Sequence, residues 1–141
     1  MSQNTKHTIL YVEDDLDDLF IVQQAFESYN DSIAVVHAHN GFIAMQYLQE
    51  LLNSDILPCL IILDMNMPGM NGKEVLIRLK QSEDFKNIPV VVFTTSSNKA
   101  DKDFAQKWGA DFITKPLVYA ELESLATTFV SKCNFEISKR A

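Results

Sequence analysis

Four short apolar segments of this 141-residue chain each run into a polar or charged group. TILYV is followed by Glu13 and Asp14, CLIIL by Asp64, VVVF by Thr94, and FIT by Lys115. Carboxylates bind hard divalent cations, whereas hydroxyl and ammonium groups bind phosphoryl oxygens. If these groups meet in the folded protein, they predict a site that holds a divalent cation and handles a phosphoryl group.

The elements that carry these groups alternate between strand and helix five times. Short apolar runs are typical of buried parallel strands, predicted here near 8–13, 33–37, 59–63, 89–93 and 111–114. Helices are expected between them, with Asp15, Asn40, Asn71 and Asn98 at their starts and Gly109 after the fourth. The pattern predicts an α/β fold with a parallel sheet, and ligands of such sheets gather outside the carboxyl ends of the strands.

Helical spacing predicts which apolar side chains face the sheet. The residues expected on inner faces are Leu16, Leu19, Phe20, Ala25 and Phe26 in the first helix, Phe42, Met45, Leu48 and Leu52 in the second, and Leu122, Leu125, Ala126 and Phe129 in the fifth. The segment after about residue 131 is expected either to extend the fifth helix or to fray.

Three of the acidic residues at the strand ends are difficult to explain as surface charge. Each close pair among Glu13, Asp14 and Asp64 would repel by roughly 4 kcal/mol at an effective dielectric of 20. A bound cation relieves that repulsion, and oxygen ligands in small number suit Mg²⁺. The neighbouring acids Asp15, Asp17 and Asp18 are interpreted instead as helix-start residues. Asp64 itself could act as a nucleophile towards phosphorus.

The motifs V-E-D-D at 12–15, D-M-N-M-P-G-M-N-G at 64–72, V-V-F-T at 91–94 and K-P at 115–116 resemble those of response regulator receiver domains. The resemblance runs from Ile9 to about Val130. It implies a CheY-like, flavodoxin-like doubly wound sheet of five strands in the order 2-1-3-4-5, with five helices. It also implies a two-component or phosphorelay protein that receives a phosphoryl group from a sensor histidine kinase or a histidine phosphotransfer protein.

By position, the resemblance makes Asp64 the phosphoacceptor, assisted by Thr94 and Lys115. Mg²⁺ would be held by Asp14, Asp64 and the backbone carbonyl of Asn66, with Glu13 acting through water. Thr94 and Phe112 would form the switch pair, and the Lys115–Pro116 bond would be cis. Such a domain assists its own phosphorylation and dephosphorylation rather than acting as an enzyme. It signals to an unknown protein target or serves as a phosphate sink, and it could form a homodimer through the face of helix four, strand five and helix five.

Other interpretations of the same residues stay open at this point. An Asp-nucleophile phosphohydrolase would also use Asp64, although Asn66 stands where a second acid is usual. A flavodoxin-like FMN module would share the fold, but an acidic first loop repels phosphate. A calcium loop starting at Asp64 is disfavoured by Pro68 and by Val75 at its twelfth position.

Composition limits the partners and the cellular setting. A net charge of −7 argues against nucleic acid as a partner. No apolar run approaches the roughly 20 residues needed to span a bilayer, so no membrane role is expected. Cys59 and Cys133, far apart in the chain, suit free thiols in a reducing cytoplasm. We expect a single cytoplasmic receiver domain over residues 1–141, with its core at about 8–130 and a C-terminal tail at about 131–141.

Overall fold

The computed structural model describes residues 7–27, 32–54, 56–67, 69–116 and 124–136. Within these residues, five strands alternate with five helices: β1 His7–Val12, α1 Leu16–Glu27, β2 Ile33–Ala38, α2 Gly41–Leu51, β3 Leu60–Leu63, α3 Gly72–Gln81, β4 Val90–Thr94, α4 Lys99–Lys107, β5 Asp111–Thr114 and α5 Leu125–Ser131. All strand pairs are parallel, in the order β2-β1-β3-β4-β5. The predicted fold class and strand order are therefore confirmed.

The sheet separates two apolar layers, because successive side chains of a strand point to opposite faces. Leu10 and Val12 of β1 face α2, α3 and α4, whereas Ile9 and Tyr11 face α1 and α5. All four of these β1 side chains are fully buried. Burial on both faces explains why the strands read as nearly continuous apolar runs.

Side-chain caps begin the helices at the predicted places. Asp15 Oδ1 accepts hydrogen bonds from the backbone N–H groups of Asp17 and Asp18 at the start of α1. Asn40 and Asn71 cap α2 and α3 in the same manner. These caps satisfy N–H groups that have no partner within the helix. They also fix the point at which each loop of the carboxyl edge turns into a helix.

The prediction that all of the assigned apolar residues face the sheet is wrong for three of them. Leu16 and Phe20 of α1 are 65% and 57% exposed, and Phe42 of α2 is 61% exposed. In α1 the buried positions are Val22 and Phe26. The apolar residues of α1 surround more of the helix than one stripe, so spacing alone did not settle which of them face the sheet. Leu122 lies outside the described residues.

Gly72 holds the start of α3 against the end of β3. A Cβ atom at this position would lie 2.2 Å from the carbonyl oxygen of Asp64 and 2.6 Å from Cα of Met65. The N–H of Gly72 donates to the carbonyl oxygen of Met65 at 3.1 Å. Only glycine permits this approach, which fixes the loop that carries Asp64.

Candidate functional site

A cleft at the carboxyl edge of the sheet brings most of the predicted residues together. Asp64 follows β3, Glu13 and Asp14 follow β1, and each of these strands lies next to the other in the sheet. The cleft is lined by Glu13, Asp14, Asp15, Asp18, Asp64, Asn66, Thr95 and Lys115. Three of the four strand ends therefore place their acidic or basic side chains in the same cleft, as expected. Asn66 also lines it.

Three carboxylates form the centre of the cleft. Oxygen atoms of Glu13, Asp14 and Asp64 all lie within 4.8 Å of one another. Glu13 and Asp64 are buried, with 1% and 6% exposure, and Asp14 is half-buried. A cluster of hard oxygen donors at this spacing fits a divalent cation, whose charge would offset the mutual repulsion of the acids.

Burial and the neighbouring charge of Glu13 raise the pKa of Asp64 to about 7, and the nearby Lys115 ammonium partly counters them. In the absence of a cation, the Asp64 carboxyl therefore holds its proton close to neutral pH. A cation beside it would favour the ionised form that a nucleophile requires.

The side chain of Glu13 is held by donors from three directions. Its Oε1 accepts from the hydroxyl of Tyr11 at 2.9 Å and from Nζ of Lys115 at 2.8 Å. The N–H of Asp15 donates to Oε2 at 3.3 Å, and Nε2 of His37 lies 2.6 Å from the backbone oxygen of Glu13. These contacts fix the carboxylate, and burial together with the charge of Glu13 raises the pKa of Tyr11.

Lys115 is paired with two acids of the cleft. Its Nζ contacts Oδ2 of Asp18 at 2.6 Å as well as Oε1 of Glu13. Burial lowers the pKa of Lys115, but the hydrogen bonds to Asp18 and Glu13 outweigh it and the net shift is upward. Asp18 is therefore more than a helix-start acid, contrary to the sequence interpretation. Tyr11 was also missed, although its place two residues before Glu13, on the same face of the strand, was a usable signal.

The predicted switch residues lie on neighbouring strands: Thr94 is the last residue of β4, and Phe112 is the second residue of β5. Thr94 is fully buried, and its Oγ1 accepts from the N–H of Ser96 at 3.2 Å. Thr95, rather than Thr94, lines the cleft. Phe112 is half-buried and packs against the core layer that contains α3 and α4.

The expectation of a cis Lys115–Pro116 bond is wrong. The described residues, which include both partners, contain no cis peptide bond. The trans form is the preferred state of an X–Pro bond by about 0.5–1 kcal/mol. In this conformation the N–H of Lys115 donates to the carbonyl oxygen of Thr94 at 2.7 Å, which sets the path of the chain beside the cleft.

Trp108 and His37 lie outside the lining of the cleft. Trp108 is half-buried and packs against the core next to Phe104. His37 of β2 contacts the backbone just after the end of the neighbouring strand β1. Among the described helices, none combines the length and apolar character needed to cross a membrane.

Comparisons with known proteins agree with this geometry. The family model of the response regulator receiver domain matches residues 9–127 of this chain. Response regulator Rcp1 of Synechocystis sp. is 42% identical over 101 residues, which cover 70% of this chain and 68% of Rcp1.

Two solved structures are also similar. The phosphorylated cyanobacterial phytochrome response regulator RcpA has a TM-score of 0.81 and 31% identity, covering 92% of this chain and 97% of that one. The Mn²⁺-bound form of Rcp1 has a TM-score of 0.80 and 32% identity, with coverages of 91% and 97%. With its five-stranded fold and acidic cleft, this chain belongs to the response regulator receiver domain family of two-component signalling proteins.

Proposed function

We propose that Asp64 accepts a phosphoryl group from a phosphohistidine of a sensor histidine kinase or a histidine phosphotransfer protein, with Mg²⁺ bound. The observation that carries this proposal is the cluster of Glu13, Asp14 and Asp64, with Lys115 beside it. Similarity to RcpA, whose structure is of the phosphorylated form, supports it.

The chain's own residues divide the work of the transfer. An ionised oxygen of Asp64 attacks phosphorus, so that an O–P bond forms as the N–P bond of the donor breaks. Asp14, Asp64 and the backbone carbonyl of Asn66 would hold the cation directly, and Glu13 would act through water. Bound Mg²⁺ would supply positive charge next to the phosphoryl oxygens. The engagement of Glu13 Oε1 by Tyr11 and Lys115 supports an indirect role for Glu13.

Lys115 would exchange partners during the reaction. In the present structure its ammonium contacts Asp18 and Glu13. A phosphoryl group on Asp64 carries roughly −1.5 to −2 charges and offers three strong acceptor oxygens. We infer that Lys115 then moves from Asp18 to a phosphoryl oxygen, which makes Asp18 its resting partner.

Signal output would follow from Thr94 and Phe112. We infer that the Thr94 hydroxyl turns towards the phosphoryl group and that Phe112 moves into the space it leaves. The surface formed by α4, β5 and α5 would then change its affinity for a downstream protein or for a second copy of the chain. Coupling between two sites typically amounts to about 1–3 kcal/mol, which is about a 5- to 150-fold change in affinity.

The phosphodonor would approach along α1. Leu16 and Phe20 are exposed and lie one helical turn apart, next to the acids Asp15 and Asp18 that line the cleft. An apolar pair beside a reactive site fits a protein partner. Changing both to serine should slow transfer from a phosphohistidine protein but not from a small phosphodonor such as acetyl phosphate.

The proposed function is tested by incubating the protein with Mg²⁺ and acetyl phosphate and measuring intact mass. We expect one base-labile phosphoryl group on the wild-type chain and on Asp17→Asn, which alters an exposed acid, and none on Asp64→Asn. Equal labelling of Asp64→Asn would contradict the assignment. Turnover of a phosphate ester without self-labelling would favour a phosphohydrolase, and retained flavin absorbance would favour an FMN module.

A further inference from the structure

The two cysteines meet on the side of the sheet remote from the cleft. Cys59 directly precedes β3, whereas Asp64 follows the same strand. Cys133 lies two residues after the end of α5. The two sulfur atoms are 2.7 Å apart, although 74 positions separate the residues in the chain. Both are free thiols in this structure; Cys59 is fully buried and Cys133 is half-buried.

The backbone holds this approach in place. The N–H of Asn134, the residue after Cys133, donates to the carbonyl oxygen of Cys59 at 2.9 Å. The ring of Phe135 lies edge-on to the ring of His7 on β1, with a centroid distance of 4.6 Å. The segment that follows α5 is thus docked on the amino edge of the sheet. Contacts of the neighbouring residues, and not only the side-chain rotamers, therefore hold the two thiols close together.

We propose that Cys59 and Cys133 form a reversible disulfide, a modification site that is independent of phosphorylation at Asp64. A disulfide bond is about 2.05 Å long, so the sulfur atoms need to move by less than about 1 Å. In a reducing cytoplasm such a bond forms transiently and responds to the redox state rather than serving as a permanent crosslink.

A low-molecular-weight disulfide, such as oxidised glutathione, is a suitable oxidant. The half-buried Cys133, as thiolate, attacks one glutathione sulfur and releases the first glutathione thiolate. The thiolate of Cys59 then attacks Cys133 sulfur and releases the second. The two protein protons end on the two glutathione thiols, so two protein thiols are oxidised and one glutathione disulfide is reduced. The hydrogen bond with Cys59 and burial raise the pKa of the Cys133 thiol, so we expect the first attack to be slow at neutral pH and faster in more alkaline buffer.

The bond would join the C-terminal end of α5 to the start of β3. Because it would close a loop of 74 positions, it would restrict the unfolded chain strongly. We expect the oxidised protein to melt roughly 10 °C above the reduced protein.

The test is thiol counting and intact mass of the full chain, equilibrated in glutathione buffers of increasing oxidised fraction, without any phosphodonor. The expected product is a monomer that has lost about 2 Da and both alkylatable thiols, and dithiothreitol should restore it. Cys59→Ala should instead accumulate one glutathione adduct on Cys133. Cys133→Ala should keep its buried thiol unmodified while folded.

Wild-type protein that keeps both thiols in strongly oxidising buffer would overturn the proposal, as would a wild-type protein that carries two separate glutathione adducts. A bond that forms only in urea would also overturn it, since the folded state would then not bring the thiols together. Because labelling of Asp64 does not enter this assay, failure here leaves the proposed phosphoryl transfer untouched, and the reverse holds as well.

Discussion

The raised pKa of Asp64 predicts an unusual pH dependence of stability in the metal-free protein. Its carboxyl has a pKa of about 7 in the folded chain, against an ordinary value of 3.8. At about 1.4 kcal/mol for each tenfold change in proton affinity, this difference corresponds to about 4 kcal/mol. The folded state binds the proton more tightly than the unfolded state, so the free energy of unfolding falls as pH rises from about 4 to about 7.

Asp64→Asn removes this titrating group and keeps a side chain of similar shape. In EDTA at pH 8.5, we expect the variant to be more stable than the wild type by up to about 4 kcal/mol, and the two to be similar near pH 4. With a urea slope of about 2 kcal/mol/M, the difference moves the midpoint by roughly 2 M. Mg²⁺ should stabilise the wild type at pH 8.5, because it binds the folded state, and should affect the variant less.

The measurement is urea unfolding followed by circular dichroism at several pH values, with Asp17→Asn as the matched control. Other acids titrate over the same range, but they are common to both proteins, so the difference between the two curves isolates Asp64. A difference that stays constant from pH 4 to pH 8.5 would refute the argument. A variant that is less stable than the wild type in EDTA at pH 8.5 would refute it too.

Three further predictions concern Gly72, Thr94 and Asp18, the first two with a control substitution. Gly72→Ala should lower the free energy of unfolding by about 3 kcal/mol or more, because the added Cβ atom would overlap the backbone. Gly109 has a φ of 76° and open space around it, so Gly109→Ala should lower the free energy of unfolding by only about 1–2 kcal/mol. Urea unfolding of the two variants measures this difference. Thr94→Ala should weaken phosphorylation-dependent partner binding by about 5-fold or more in a pull-down titration, and Thr95→Ala should not if Thr94 is the switch hydroxyl. Asp18→Asn frees the resting lysine, so phosphorylation by acetyl phosphate should accelerate; an unchanged rate in stopped-flow labelling would exclude a resting role for Asp18.

The strand ends were predictable because covalent continuity fixes them. Once a segment such as CLIIL is a buried strand, Asp64 must emerge at its carboxyl edge, and parallel neighbours bring Glu13 and Asp14 to the same place. The caps at Asn40 and Asn71 were predictable for a similar reason, since they depend on residues only three positions apart. Local rules therefore position the elements and the acids of the cleft.

Contacts between distant segments were harder to predict. The pairing of Lys115 with Asp18 depends on how α1 is rotated over the sheet, and the mixed apolar pattern of α1 does not fix that rotation. The meeting of Cys59 with Cys133 depends on where the chain turns after α5. No periodic pattern in the sequence predicts either contact, because each depends on how the elements pack in three dimensions.

The charge balance of the cleft links these observations. Five carboxylates and one ammonium line it, which gives a net charge of −4 when all are ionised: five negative charges against one positive. Charges this close repel strongly at low dielectric. The protein without a cation reduces this repulsion by keeping a proton on Asp64 and by sharing Lys115 between Glu13 and Asp18.

Both arrangements oppose phosphorylation, since the proton neutralises the nucleophile and the ion pairs keep the Lys115 ammonium away from the phosphoryl group. A divalent cation reverses the first directly, because it favours the ionised carboxyl. The phosphoryl group reverses the second, because it offers Lys115 a more highly charged partner. We therefore infer that the acids surrounding Asp64 hold the resting state as well as binding the metal, and that neutralising Asp18 affects the readiness of Lys115 without altering the ligands of the cation.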